Sequence, residues 1–587
     1  DRIEKLTRAY ENQLKGLITT LSEIKQSQLT PSDLTYNNLP FEELQQINRD
    51  NNVEDIYELS PLQQGFYYHW LADHSSPMYF QQMAYAVNAE ELSIENSKQA
   101  FSNLISRYPI LRTSFTNNFG DQPLQIVHKE VESNFSYEKM EKADGETVEE
   151  YIERVKLEDK AKGFDFEQPS LMRLKIIEIE KNRYVFIWSY HHILMDGWCM
   201  SILLNDFGNI LGAISANQEV KLPLPLKYSE YIKWLSKINN EESLAYWKNY
   251  LNGLETVIDL PFKQKKESTT NFEIKHLKVE VGGDLYQNVM SYCQEIGVTL
   301  NVFVQGVWGY LLSRYNNTQD VVFGAVVSGR PGDLPGVETM VGLFINAIPV
   351  RLKYSNEDTP KSLLKQIQTE AIASASHHYV NLSEVQSQSS LGGELIKSLL
   401  TFENYFVQEI DENAEENTGN QSLYVEDVTV FEQTNYDFNI IAIPSSEALK
   451  IDFGYNSEVF DTTLVENLSS NFLKVMTEFS KADTCKLNTI DYLSDKEKEK
   501  VLLNFNDTIF EYQEDKTVID LFEEQVEKTP NSIALCFNNI EFTYKELNEK
   551  ANQFAHYLLE SHKIQANDII GIKLRRSEKL IVSILGV

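Results

Sequence analysis

Apolar residues recur at steps of three and four over the first two dozen positions, at Ile3, Leu6, Tyr10, Leu14, Leu17, Leu21 and Ile24. That spacing lines one face and predicts an amphipathic helix. The stretch "QLTPSDLTYNNLPFEELQQI" then reads as a linker with a fresh cap, because Pro31 cannot continue a helix while Pro40 can open a short one. A new domain is expected to start near residue 53. From there to about residue 485, strand-like runs such as "RLKIIEI" and "YVFIWSY" alternate with helical stretches such as "SILLNDFGNILGAIS" and "NVFVQGVWGYLLSRY". Such alternation predicts a mixed α/β class. Within this region "NAEENTGNQ", residues 413–421, is apolar-poor and reads as an exposed loop. The charged stretch "LSDKEKEKVLLNFNDT" reads as a connector, with a third α/β unit beginning near Val518 and stopping at Val587, directly after the apolar run "LIVSILGV". The expected units are 1–50 (helix and linker), 53–485 (two halves, dividing near 225–270), 486–515 (linker) and 516–587. No short repeat or low-complexity tract interrupts them.

Composition narrows the function classes. A chain of 587 residues, 42% hydrophobic and 24% charged, has ample material for a core. Its 87 acidic against 53 basic side chains leave a net charge of -34, which disfavours nucleic acid and anionic membrane surfaces as partners. Cys199, Cys293, Cys485 and Cys536 are dispersed without CxxC spacing, so neither a zinc site nor a disulfide framework is indicated and a reducing cytoplasm is expected. No apolar run approaches the roughly 18 residues of a membrane span, no signal peptide is recognisable, and both ends read as cut from a longer chain.

The chemistry concentrates in "SYHHILMDGW", residues 189–198, which follows the strand-like "YVFIW". Imidazole takes and returns protons near neutral pH, so His191 and His192 are candidates for acid–base work. Asp196 can hold the turn or bind an arginine. Gly197 permits a backbone angle that other residues resist, and its backbone N–H is a candidate donor to an oxyanion. A metal site is the rival reading, but HHxxxD offers no third and fourth ligand nearby, so no metal is expected. "VVSGRPGDLPG", residues 326–336, has a glycine spacing that fits neither GxGxxG nor a P-loop and reads as a turn-rich connector.

"HHILMDGW" resembles the HHxxxDG signature of the condensation domains of nonribosomal peptide synthetases, within the chloramphenicol acetyltransferase-like superfamily. Further blocks are similar in the same order: "SPLQQGFYYHWL" (60–71), "SRYPILRTSF" (106–115), "YSEYIKWL" (228–235), "VGLFINAIPVR" (341–351), "HHYVNLSEVQ" (377–386) and "LLTFENY" (399–405). The resemblance implies two chloramphenicol-acetyltransferase-like halves in a V-shaped pseudo-dimer with a central tunnel, plus a truncated α/β adenylation fragment, since "FTYKEL" resembles the first core motif of an adenylation domain. It implies His192 and Gly197 as catalytic, and His191 and Asp196 as structural at the active site. Asp196 would be braced by an arginine, for which Arg112 and Arg330 are both open. Trp198, Ser328, Asn346 and Asn435 are the implied tunnel residues.

The activity implied is peptide-bond formation in antibiotic-type biosynthesis, in which the amine of an acceptor aminoacyl-carrier protein attacks the thioester of a donor peptidyl-carrier protein. No cofactor is expected on this chain itself; 4'-phosphopantetheine arms come from the upstream donor and downstream acceptor carriers. Neighbouring epimerisation and adenylation domains are the other expected partners, without nucleic acid or membrane. The first, sixth and seventh blocks resemble the subclass that accepts a D-configured donor residue, and residues 1–50 resemble the tail of an epimerisation domain. An epimerisation domain and a catalytically silent docking module remain the alternatives.

Overall fold

A computed structural model describes residues 1–23, 29–74, 78–90, 92–143, 145–261, 263, 273–403, 424–431, 436–481 and 485–587. The expected loop at 413–421 and the tunnel candidate Asn435 lie outside the described residues. The chain divides into two compact units, Asp1–Glu497 and Lys498–Val587.

Two large sheets organise the first unit. The five-stranded sheet has the order Tyr424–Phe431, Phe80–Asn88, Arg183–His191, Met172–Glu180, Asn134–Lys139. Its central strand, Arg183–His191, pairs antiparallel with both neighbours, His191 opposite Phe80 on one side and Tyr190 opposite Met172 on the other. The six-stranded sheet has the order Asn346–Lys353, Asp320–Val327, Leu399–Phe402, Phe438–Pro444, Ala448–Asn456, Ile274–Gly282. Each sheet has its own core. One runs from Tyr57 to Tyr231 and Ile232, the other from Trp247 to Ile490. Fully buried aromatic anchors, Trp188 in the first and Trp247 and Trp308 in the second, supply large apolar areas that burial stabilises.

Sequence neighbours do not share cores throughout. Val337, Met340, Val341, Leu343 and Phe344 lie between two strands of the second sheet in sequence, yet pack into the first core. Strand Tyr424–Phe431 likewise leaves the second half to pair antiparallel with Phe80–Asn88. The first half is therefore completed by two excursions from the second.

Residues 29–50, read above as a linker, are packed. Leu34, Tyr36, Leu39 and Leu44 form a small core with Val53, Ile56, Leu124 and Ile126, and Tyr36 N–H donates to Ile56 O at 2.8 Å. Their apolar spacing, masked by the intervening prolines, is what buries them. The helix expected at the N-terminus spans Arg2–Glu23, and its Ile3, Leu6, Tyr10, Leu14 and Leu17 are exposed, Ile3 at 75% and Leu6 at 72%.

The second unit holds a hairpin, Ile533–Phe537 against Ile540–Thr543, with helices Val518–Lys528, Tyr544–His562 and Glu578–Gly586. Leu547 and Ala551 are buried, while Val518, Leu521, Ile569 and Ile584 are exposed.

Candidate active site

The apolar middle of HHILMDG orients its polar ends. Ile193, Leu194 and Met195 are all fully buried in the first core, so the chain leaving strand Arg183–His191 must turn with its polar residues facing other walls. Backbone bonds close that turn: Leu194 N–H to His191 O at 3.1 Å, and Met195 N–H to His192 O at 3.2 Å. Cys199 N–H then donates to Asp196 O at 3.1 Å, and helix Trp198–Ser215 begins. Buried Gln63, in helix Pro61–Ala72, donates to Ile193 O at 2.9 Å and exchanges bonds with Gln125. Block 60–71 thus reaches the turn through a side chain that no spacing rule singled out.

The two histidines have different surroundings. His191 Nδ1 accepts from Ile193 N–H at 3.1 Å, and its ring also hydrogen-bonds the Met78 backbone, which together define a neutral tautomer with the proton on Nε2. Burial, then the neighbouring His192, push its pKa down to about 3. Its ring stands edge-on to Phe166 at 4.5 Å. His192 N–H donates to Tyr79 O at 2.9 Å, and its ring is tilted against Phe66 at 5.6 Å. Phe66 in turn stacks on Tyr79 at 4.0 Å. Tyr79 has φ +61°, a left-handed conformation that costs a bulky residue free energy and is held here by that stack.

Asp196 is saturated. Oδ1 faces Arg330 Nη2 at 3.3 Å and accepts from the Cys199 thiol at 3.2 Å; Oδ2 accepts from Phe344 N–H at 3.1 Å and Ile345 N–H at 3.2 Å. Arg330 also donates through Nη1 to Met340 O at 2.9 Å and to Val337 O, and lies over the Phe344 ring at 4.2 Å. Loop 328–336, read as a connector, therefore carries the cation of the clamp. Gly329 has φ +63° and an added Cβ would overlap Phe344 O; at Gly342 one would overlap the Tyr228 ring. The first folds the second half's segment tightly on itself, and the second seats it against helix Tyr228–Leu235 of the first half.

Two expectations are corrected by this geometry, and one tunnel candidate is placed. Arg112 does not brace Asp196: it pairs with Glu54 at 2.8 Å and donates to the carbonyls of His128 and Lys129, because the short helix Pro109–Arg112 points it at strands Val53–Glu58 and Leu124–His128. Gly197 has φ -61° and ψ -29°, ordinary helical values, because it caps helix Trp198–Ser215, so no glycine-only angle is used there. Asn346 donates its amide to His378 O at 2.7 Å and Val380 O at 2.6 Å, which makes it a backbone tie.

A cavity of about 1700 Å³ opens beside the clamp. Asp196, Trp198, Ser328 and Arg330 line it, opposite Ser243, His377 and Tyr379. Among the described residues, His192 and Asn346 are not on that wall. Trp198 is held by its indole N–H on Glu338 O at 3.0 Å. Ser243 Oγ lies 2.7 Å from His377 Nδ1 and 2.8 Å from Tyr379 OH, a second polar cluster that sequence reading missed because its members are 134 and 136 positions apart. Among the described residues, no group of three or more His, Cys, Asp or Glu is placed to hold a metal.

The buried imidazoles carry a pH dependence. His378, like His191, is pushed down, to about 4, by burial and then by His377. Both bind protons less readily folded than unfolded, where the value is near 6.5. Their stabilising effect is fully present above about pH 6.5 and is lost as pH falls towards these values. The denaturant midpoint should drop from pH 7 to pH 5, above the range in which exposed carboxylates titrate. A flat midpoint across that interval contradicts the assignment.

A family model described as "Condensation domain" matches residues 53–502, and one described as "AMP-binding enzyme" matches residues 522–587. Bacitracin synthase 1 of Bacillus licheniformis is 35% identical over 588 residues, 100% of this chain but 11% of that protein. Among solved structures, a holo four-domain nonribosomal peptide synthetase bound to AMP and glycine superposes with a TM-score of 0.70 at 21% identity, over 91% of this chain and 41% of that one. The complex of the X-domain and OxyB from teicoplanin biosynthesis gives 0.62 at 19% identity, over 75% of this chain and 96% of the matched one. A two-sheet α/β fold with an HHxxxDG turn is thus the class at hand. The chain belongs to the condensation domain family and continues into the start of an AMP-binding domain, with relatives among nonribosomal peptide synthetases.

Proposed function

We propose that this chain joins a donor peptidyl or aminoacyl thioester to the amine of an acceptor aminoacyl thioester, each on the pantetheine arm of a carrier protein. The observation that carries the reading is the intact HHxxxDG turn, with Asp196 saturated by Arg330 and two backbone N–H groups at the wall of a 1700 Å³ cavity. Family membership with synthetases such as bacitracin synthase 1 supports it. An α-amine titrates near pH 8 and sheds a proton as the amide forms; His192 takes that proton or orients the amine. The backbone N–H near Gly197 is the donor assigned to the developing oxyanion. Holding two tethered groups together supplies much of the acceleration. The chain itself holds no cofactor in this scheme, its partners are donor and acceptor carriers with neighbouring epimerisation and adenylation domains, and it works in a reducing cytoplasm, which suits its four free cysteines.

The test is a coupling assay with two loaded carriers. Amide product supports the reading; D/L mixtures from one loaded carrier without an acceptor point to epimerisation; no turnover with carrier binding retained points to a docking module. The X-domain shares this fold, so chemistry has to decide.

The donor is proposed to end in a D-residue, on the similarity of blocks 60–71, 377–386 and 399–405 to that subclass and of residues 1–50 to an epimerisation tail. Chirality is read because the wrong epimer turns its carbonyl from His192, and a misplacement of about 1 Å can cost 100-fold. Matched donors ending in D or L should therefore couple at rates differing by roughly that factor in favour of D. Equal rates, or faster L, overturn the assignment.

A further inference from the structure

The thiol of Cys199 stands at the centre of the clamp without an assigned part. It is fully buried. Its Sγ lies 3.2 Å from both Asp196 Oδ1 and Gly342 O, and accepts from Arg330 Nη2 at 3.3 Å and Gly342 N–H at 3.4 Å. One S–H proton can serve either oxygen while sulfur lone pairs receive both N–H donors, so all four neighbours belong to one network. The contacts also bridge the halves: Cys199 opens the helix that follows the histidine turn, whereas Arg330 and Gly342 come from the second half's segment. Burial, and then the Asp196 carboxylate, push the thiol up to about 12. It therefore stays protonated, which leaves its hydrogen bonds and its bulk as the properties that matter.

We propose that Cys199 is a positioning residue: it ties the Arg330 guanidinium and the Gly342 backbone to Asp196, and so holds the turn that carries His192 in register with the second half. The proposal rests on the condensation reading for its kinetic effect. Asp196 meets Arg330 through Nη2 alone, at 3.3 Å, while Nη1 is spent on Met340 O, so the second Nη2 hydrogen needs its own point of attachment beside the carboxylate. Sulfur supplies that point. Because Met195 N–H closes the turn on His192 O and Asp196 is the next residue, a shift at Asp196 moves the imidazole.

Two variants of the full chain test this, Cys199→Ala and Cys199→Ser. In single-turnover coupling, Cys199→Ala should lower the maximal rate by roughly ten- to hundredfold, with half-saturating carrier concentrations changed less than about twofold, as expected for misplacement without lost binding. Cys199→Ser, whose hydroxyl keeps one donor and two acceptor positions, should recover most of the rate. A second readout needs no turnover: the His192 Cε1–H resonance in 13C-histidine-labelled protein should be displaced in Cys199→Ala and return in Cys199→Ser. A wild-type rate and an unmoved resonance in Cys199→Ala overturn the proposal. So does a loss of rate shared equally by both variants and matched by lowered denaturant midpoints, which would make the sulfur a packing atom. If the wild-type chain itself couples nothing, the condensation reading fails, and the resonance alone decides: displaced by alanine and restored by serine supports positioning, unmoved refutes it.

Discussion

Replacing His192 by alanine is expected to lower single-turnover coupling by roughly ten- to ten-thousandfold. The span is wide because confinement of two tethered substrates supplies much of the acceleration, leaving the base a smaller part than usual. Its partner in the pair offers no rescue. His191 has Nδ1 engaged by Ile193 N–H and its ring tied to the Met78 backbone, and burial keeps it neutral far below physiological pH. A proton given up by the amine has no route onto that ring without breaking the tautomer that holds the strand end. The measurement is rapid-quench coupling with both carriers loaded, alongside a denaturant midpoint to show that the variant is folded. An unchanged rate would remove His192 from the reaction.

Asp196→Ala should act on stability first. It removes the carboxylate from a guanidinium whose side chain is 5% exposed, leaves Phe344 N–H and Ile345 N–H without their acceptor, and confines the Cys199 thiol to Gly342 O. Breaking one side of a buried pair costs about 3 to 5 kcal/mol. Arg330→Met combined with Asp196→Ala should lose less than the two single changes added, because each single variant strands the other's charge. Urea unfolding of the four chains measures this. Full stability of Asp196→Ala with lost turnover would instead place Asp196 in the chemistry.

The sequence made the alternating elements readable where packing is local. The runs "RLKIIEI" and "YVFIWSY" form adjacent antiparallel strands, and "NVFVQGVWGYLLSRY" lies in helix Leu300–Tyr315, because the last two are apolar runs buried almost throughout and their length separates strand from helix. The histidine turn was readable for the same reason, its residues being contiguous. Its support was not. Arg330 lies 134 positions from Asp196, in a loop whose glycines look like any connector until Gly329 is seen against Phe344 O. Arg112 looked equally suitable because its apolar surroundings signal burial without naming a partner. Gly197 misled in the opposite direction, since a glycine at a helix cap can adopt ordinary angles. In residues 29–50 the short helix opened at Pro40 was readable and spans Phe41–Ile47, but the packing was not, because proline and asparagine punctuation outweighs four apolar side chains until the strands they cover are in place.

The two excursions from the second half also set an order of events during synthesis. The first half's own helices and strands are complete once the ribosome passes Leu235, yet Val337 to Phe344 fill its core and Tyr424–Phe431 closes its sheet. At 5–20 residues per second, roughly a hundred further residues mean that the nascent first half waits about 5 to 20 s with an open core. Contacts this distant in sequence also slow closure in any refolding experiment. The emerging chain therefore spends that interval with apolar surface exposed, when chaperone capture or aggregation competes most strongly with completion of the fold.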